Sequence, residues 1–400
     1  MATEAKRLLA LDLLRGAAVT GMILVTSPGD WAFTYSQLQH AGWNGWTAAD
    51  IVFPAFLFSV GVALGLSFPR PFGEADARRQ YWWRVVRRVI ALIILGLALE
   101  ATYNLAIALG AWFPGKPGLD GLRIPGILQR IALCYGLSAV LLGVAARRAA
   151  DGLFHLNVRI IAAAIVILLV GYWAALSFVP VPGYGAGRLD IPGNLPGYVD
   201  RMVFGVSHMW PYGNVSWGQP VFYDPEGLLS TFPAATTCLF GVLAVWIWRR
   251  SPERAPLMLA IFGGGLIVLG LLVNPIFVIN KRIWTSSFAL LSSGVAAVAL
   301  AALAIAARST AVTRVLIPLR ILGGNAIIAF IIATLFGRVY GAPLIGSGEA
   351  RTSPAAWLDH ALLRVVGDPY AASFTCAVAV LALITLLLWP LHRRAIHFRL

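Results

Sequence analysis

Charged residues are scarce in this chain. Asp, Glu, Lys and Arg together make up 12% of its 400 residues, about half the share of a soluble globular domain. A water-facing surface cannot be covered from that supply, so a soluble globular fold is excluded and lipid must face much of the molecule. Acidic residues are the scarcer kind, 17 Asp+Glu against 31 Lys+Arg, for a formal net charge of +14. In a soluble protein such an excess would suggest nucleic acid. Here the basic residues fall in short blocks between apolar runs, the topogenic pattern of a membrane protein, so no nucleic-acid partner is expected. There are only three cysteines, Cys134, Cys238 and Cys376. Each lies inside an apolar run without a CxxC or a paired His, and each is expected to pack as a small hydrophobe. The six histidines show no metal-ligand spacing, and no metal is expected. GxxxxGK[ST] and GxSxG are both missing. The GVALG and GGGL stretches suit close helix packing through small residues.

Apolar sequence, by contrast, is abundant, at 59%. A spanning helix needs about 20 mostly apolar residues, and ten stretches qualify. The first five are Leu8–Thr26, Ala48–Phe68, Arg84–Leu105, Ile124–Ala146 and Val158–Phe178. The second five are Gly227–Trp248, Pro256–Asn274, Trp284–Ala306, Val315–Val339 and Ala371–Trp389. The expected fold is therefore all-α, a polytopic transmembrane bundle of about ten helices forming one domain over residues 1–400. A Gly-, Pro- and aromatic-rich connection, Val179–Glu226, divides it five plus five, with no repeat between the halves. Thr352–Gly367 is apolar but carries Asp359, His360 and Arg364, which suits an interfacial segment. The polar start, Met1 to Arg7, leads straight into an apolar stretch without a small-residue cleavage signature, so an uncleaved first helix is expected.

Lys and Arg placement sets the orientation. With the N-terminus inside, the inner segments hold 20 basic residues: Lys6, Arg7, Arg70, Arg78, Arg79, Arg84, Arg87, Arg88, Arg147, Arg148, Arg159, Arg249, Arg250, Arg254, Arg308, Arg314, Arg320, Arg393, Arg394 and Arg399. The outer segments hold nine: Lys116, Arg123, Arg188, Arg201, Lys281, Arg282, Arg338, Arg351 and Arg364. An even helix number then returns the C-terminus to the cytoplasm.

Ionisable groups within or beside spans are expensive and mark candidate sites. The first outer loop contains no Lys or Arg and holds His40, Trp43, Asn44 and Asp50. Asp50 opens the second helix, where a carboxylate also serves as a cap. Glu100 lies about 18 Å into the third helix from inside, and Arg130 about 10 Å into the fourth from outside. In a core about 30 Å thick these depths nearly coincide, so the two can pair. Arg123 and Arg130 share a helix face that can also meet an anion. Asp12 and Arg15 are i,i+3 neighbours that can pair with each other. Asp224 and Glu226 stand together at the start of the sixth helix. Capping accounts well for one of them and less well for both. Lys281 and Arg282, with Trp284 beside them, are either interfacial anchors or site residues.

Five blocks carry a resemblance that runs in order along nearly the whole chain. They are RLLALDLLRG, HAGWNGWTAADIVFPAFLFSVG, RIPGILQRIALCY, DPEGLLSTFPA and NPIFVINKRIWTSSF, with a shorter GGNA at 323–326. Together they resemble the heparan-α-glucosaminide N-acetyltransferase family of membrane acyltransferases. The resemblance implies transfer of an acetyl group from cytoplasmic acetyl-CoA to a glucosamine-like amine on the far side. It further implies a bacterial member in the inner (cytoplasmic) membrane. The family's active histidine matches His40, and its neighbouring Asn and Asp match Asn44 and Asp50. Where the family often has Asn after the first helix, this chain has Thr26. A hydroxyl donates a hydrogen bond but lacks the amide's two-sided bonding, which leaves the acceptor and the acyl group open.

The chemistry suits these residues. A histidine near its ordinary pKa of about 6.5 acts as a base at neutral pH, or carries the acetyl group itself. Asp50 orients the ring, and Asn44 bonds a developing oxyanion. Arg15, Thr26 and Arg130 are the candidate donor contacts. Trp43, Glu100, Asp224, Glu226, Lys281 and Trp284 are candidates for holding the amino sugar. Two alternatives stay open: a secondary transporter of a sugar or small polar solute, and a lipid-linked glycan enzyme using a carboxylate base. A homodimer is compatible with the sequence, since apolar faces toward lipid and toward a second copy look alike.

Overall fold

The computed structural model describes residues 2–69, 71–108, 118–148, 154–215, 219–396 and 398. Of the basic residues used for orientation, Arg70, Lys116, Arg399 and the side chains of Lys6 and Arg7 lie outside the described residues. Helices dominate the described chain. Its helices are α1 (Ala2–Thr26), α2 (Ala48–Ser67), α3 (Ala75–Ala101), α4 (Tyr103–Ala108), α5 (Ile127–Ala145), α6 (Val158–Phe178), α7 (Leu195–Phe204) and α8 (Thr231–Arg250). They continue as α9 (Ala255–Val273), α10 (Ser286–Ala306), α11 (Thr310–Val315), α12 (Ile317–Gly324), α13 (Ala326–Tyr340), α14 (Pro354–Val366) and α15 (Pro369–Arg393). A two-stranded antiparallel hairpin, β1 (Ala146–Arg148) with β2 (Phe154–Leu156), joins α5 to α6.

Eight helices are long and apolar enough to cross a membrane among the described residues: α1, α2, α5, α6, α8, α9, α10 and α15. The ninth expected span is not one rod. It breaks at Asn325 into α12 and α13, which meet at 88°. The buried Asn325 side chain holds the C-terminal tail at this break: its amide donates to the Ile396 carbonyl at 3.1 Å and its oxygen accepts from the Phe398 N–H at 3.1 Å. The third expected span is the middle and end of α3, where Arg84, Arg87, Arg88 and Glu100 make the helix too charged to qualify on apolarity alone. Tyr81 ties α3 to α5 by donating to the Ala139 carbonyl at 2.8 Å, and the Arg88 guanidinium lies 4.7 Å over the Tyr135 ring. The segment expected at the interface forms α14, capped at its start by the Ser353 hydroxyl.

Small residues set the closest approaches. Gly61 of α2 and Gly241 of α8 each face the other helix's backbone with no room for a Cβ. Gly16 of α1 and Gly323 of α12 do the same. The buried side chains form one large apolar core from α1, α2, α3, α5, α6, α8, α9 and α10. A second core joins α1 to α12, α13 and α15, so α1 is common to both. A third, smaller one packs the C-terminal end of α6 against α7 and the loop before α10. One end of the bundle gathers the loops after α1, α3, α6 and α9, and these loops carry His40, Asn44, Arg123, Asp224, Glu226 and Lys281.

Candidate functional site

The first loop folds back on the start of α2 through Asp50, which is 1% exposed. As the third residue of a helix capped by Thr47, Asp50 turns Oδ2 back to the Thr47 N–H at 3.0 Å and takes the Ala41 N–H at 3.1 Å. The Thr47 hydroxyl oxygen lies nearer the Gln39 carbonyl, 2.6 Å against 3.2 Å to Oδ2. The other oxygen, Oδ1, meets His40 Nδ1 at 2.7 Å. Because Oδ2 is fixed by two N–H donors, Oδ1 is held as an acceptor, and the neutral ring keeps its proton on Nδ1. That leaves the Nε2 lone pair available. His40 keeps 36% of its side chain exposed, so the pair is buried on the carboxylate side and open on the imidazole side.

The loop between α9 and α10 lies beside this pair. Asn280, fully buried, donates to the Asn44 side-chain oxygen at 3.2 Å, and the Gly45 N–H donates to the Ile279 carbonyl at 2.8 Å. Asn44 is thus a clasp between the two loops. Lys281 acts on His40 through its charge. Its charge is the largest influence lowering the His40 pKa below its ordinary value, burial adds to it, and the bond to Asp50 opposes both. Lys281 is itself buried, and burial together with Arg282 and Arg130 pulls its pKa down against the attraction of Glu226 and Asp50. Trp284 follows with a left-handed backbone, φ 50°, and a fully buried ring, a conformation that non-glycine residues rarely adopt. That ring packs edge-to-face on Phe53 and Phe288, with the Arg130 guanidinium 5.5 Å from its centroid.

The third group is a carboxylate cluster around one arginine. Arg123 Nε donates to Asp224 Oδ2 at 2.9 Å, and its Nη2 donates to Asp224 Oδ1 at 2.6 Å and Glu226 Oε2 at 2.5 Å. Glu100 approaches the same guanidinium at 3.8 Å. Burial alone would raise the Glu226 carboxyl, but Arg123, Lys281 and Arg130 outweigh it and hold it below the usual range. Trp43 ties the first loop to this cluster. Its indole N–H donates to the Leu189 carbonyl at 2.8 Å, and its ring meets Tyr223 at 4.9 Å, next in sequence to Asp224. A cavity of about 400 Å³ opens here, walled by Glu100, Tyr103, Asn104, Arg123 and Trp210. Glu100 Oε2 is buried without a hydrogen-bond partner among the described residues.

Most of the residues singled out by sequence meet at this end: His40, Trp43, Asn44, Asp50, Glu100, Arg130, Asp224, Glu226, Lys281 and Trp284. The expected Glu100–Arg130 pair does not form. Depth along a helix does not fix the direction a side chain takes around it, and Glu100 turns to Arg123. Arg130, fully buried, donates instead to the Gly227 carbonyl at 2.8 Å and the Ser230 hydroxyl at 2.6 Å. Arg15 lies 11 residues before the end of α1, about 16 Å away along the axis, and is 3.6 Å from Asp12. Thr26 commits its hydroxyl to the Met22 carbonyl of its own helix, at 2.8 Å.

Sequence reasoning understated Arg123, the hub of the cluster, whose partners lie about a hundred residues further on. It missed Asp200 altogether. This carboxyl on α7 is fully buried, accepts the Leu228 N–H at 2.8 Å, and is pushed by burial up to about 7. Nothing in a single sequence marks it.

A family model described as heparan-alpha-glucosaminide N-acetyltransferase, catalytic, matches residues 7–182. The heparan-alpha-glucosaminide N-acetyltransferase of Homo sapiens is 30% identical over 315 residues, 70% of this chain and 46% of that protein. The Mus musculus protein of the same name is 29% identical over 319 residues, 72% of this chain and 47% of that protein. The chain spans about half the length of these curated relatives.

Proposed function

This chain is related to the heparan-α-glucosaminide N-acetyltransferase family, and on that premise we propose that it is a transmembrane N-acetyltransferase. Acetyl-CoA is the donor, supplied from the cytoplasm. The acceptor is the amine of a glucosamine-like sugar on the far side of a bacterial inner membrane, with both chain termini on the cytoplasmic face. The observation that carries the reading is the His40–Asp50 pair. A buried carboxylate fixes the imidazole tautomer, and the ring's second nitrogen opens at the mouth of a polar cluster.

In this reading the amine nitrogen attacks the thioester carbonyl carbon. The new C–N bond forms as the C–S bond breaks, the amine proton passes to His40 Nε2, and the departing thiolate takes up a proton. A neutral imidazole is required, and Lys281 favours it by depressing the His40 pKa. Asp50 stabilises the imidazolium once it forms. Lys281 also offers positive charge to the oxyanion, as Asn44 does a hydrogen bond. Glu100, with one buried oxygen unpartnered among the described residues on the 400 Å³ cavity, suits a sugar hydroxyl or amine N–H, and Trp43 suits the sugar's apolar face. Arg15, Thr26 and Arg130 are assigned to the donor.

The test is acetyl transfer from radiolabelled acetyl-CoA to glucosamine by the purified protein. His40→Ala is expected to lower the rate by about 10²- to 10⁴-fold. Unchanged transfer in that variant removes His40 from the mechanism. One observation favours a second reading: the 88° break between α12 and α13 is a device common in secondary transporters. No transfer to any amine, together with solute counterflow in vesicles, supports the transporter.

A further inference from the structure

The opposite end of the bundle carries a second cavity that the acyl-transfer reading does not use. It measures about 410 Å³ and lies where α2 ends, α6 begins and α8 ends. We propose that it seats the phosphate headgroup of an anionic phospholipid, with an acyl chain lying along its apolar wall.

Its rim is basic. Arg249, Arg250 and His155 line it, and no Asp or Glu does so among the described residues. Two of these groups are held in place. Arg249 Nη2 donates to the Leu66 carbonyl at 3.2 Å, and the Arg250 guanidinium lies 5.5 Å from the Trp246 ring centroid. The β1–β2 hairpin pairs Arg147 directly with His155. Partners across a ladder share a face of the sheet, so Arg147 adds its charge on the His155 side. Below the rim the wall is aliphatic: Ile161 of α6 with Val242 and Val245 of α8. A small free anion would leave that wall in water, whereas an amphiphile covers both halves.

The geometry also separates this ligand from an acyl donor on its way to His40. Gly65 on the cleft wall is 15 residues from Asp50 along α2, about 22 Å. Between them α2 and α8 touch backbone to backbone at Gly61 and Gly241, which closes that route. A ligand in the cleft stays at the basic end.

The experiment is native mass spectrometry of the full chain released from detergent, with phosphatidylglycerol or phosphatidylcholine of equal chain length. Phosphatidylglycerol is expected to bind preferentially. Each rim arginine should account for about fivefold of that preference, so R249Q/R250Q is expected to lose about 25-fold. R249K/R250K keeps the charge and should keep the preference, which separates loss of charge from misfolding. R314Q, a basic residue outside the cleft, should change nothing. Any one of five results overturns the proposal. Phosphatidylcholine binds as well; the preference survives R249Q/R250Q or is lost in R249K/R250K; R314Q weakens binding equally; or coenzyme A or inorganic phosphate displaces phosphatidylglycerol, which makes the ligand a free phosphate.

Discussion

Asp50→Asn keeps the size and shape of the side chain and changes only its hydrogen-bonding pattern. Two N–H donors, from Ala41 and Thr47, converge on Oδ2 at 3.1 and 3.0 Å. The asparagine oxygen must take that place, because an NH₂ there would face two donors. The NH₂ is then forced toward His40 Nδ1, 2.7 Å from Oδ1 in the wild type. The imidazole must accept at Nδ1, and its proton moves to Nε2, the atom assigned to receive the amine proton. Restoring the working tautomer means turning the amide and leaving two N–H groups unpaired. Each costs about 1–3 kcal/mol, so about 2–6 kcal/mol in all. At about 1.4 kcal/mol per decade the rate should fall between about 30-fold and about 10⁴-fold. The assay is transfer of radiolabelled acetyl from acetyl-CoA to glucosamine, with folding checked by the thermal midpoint in detergent. A folded Asp50→Asn protein working within threefold of wild type refutes the tautomer argument.

Lys281→Met should let the His40 pKa rise, because the charge that lowers it most is gone. Activity needs the neutral ring, so the acidic limb of the kcat/KM profile is expected to move to higher pH; a limb that stays put or moves down contradicts the assignment. Asp200→Asn tests the buried carboxyl on α7. Its folded pKa of about 7 exceeds the ordinary 3.8, so the native state holds a proton that the unfolded state releases. Stability is full below the lower value and declines as pH rises toward 7, by about 4 kcal/mol in total. The variant should therefore gain over wild type in thermal midpoint at pH 8, with a clearly smaller gain at pH 4.5. Arg123→Met strands Asp224 and Glu226, and a loss of about 3–5 kcal/mol is expected, read as a large drop in thermal midpoint. Gly61→Leu should prevent α2 and α8 from closing and abolish recovery of folded protein, scored by size-exclusion chromatography in detergent.

Helix positions were largely legible in the sequence because lipid imposes long apolar runs. Val158–Phe178 forms α6 over that same range, and the α2, α9 and α10 boundaries agree within two residues. What composition cannot convey is direction. The run Val315–Val339 is mostly apolar, yet Gly323 lies against the Asp12 carbonyl and the chain turns sharply at the next asparagine. Glu100 and Arg130 matched in depth and still chose other partners. Within the candidate site, the His40–Asp50 pair is local, ten residues apart, and was legible from its neighbours. The Arg123 cluster joins residues about a hundred apart, and the clasp of Asn44 on Asn280 spans 236. Such contacts arise only when the whole bundle closes.

Helix α1 has two burial partners that reach it at very different times. Gly21 meets Val52 of α2 almost at once, while Gly16 waits for Leu319 of α12, which leaves the ribosome about 300 residues later. At about 5–20 residues per second that interval is roughly 15–60 s. During it, the flank of α1 that α12 and α15 later cover must be sheltered by lipid or by an insertion factor. Truncations ahead of α12 should therefore leave an orphaned surface on α1, and quality-control proteases would meet it there.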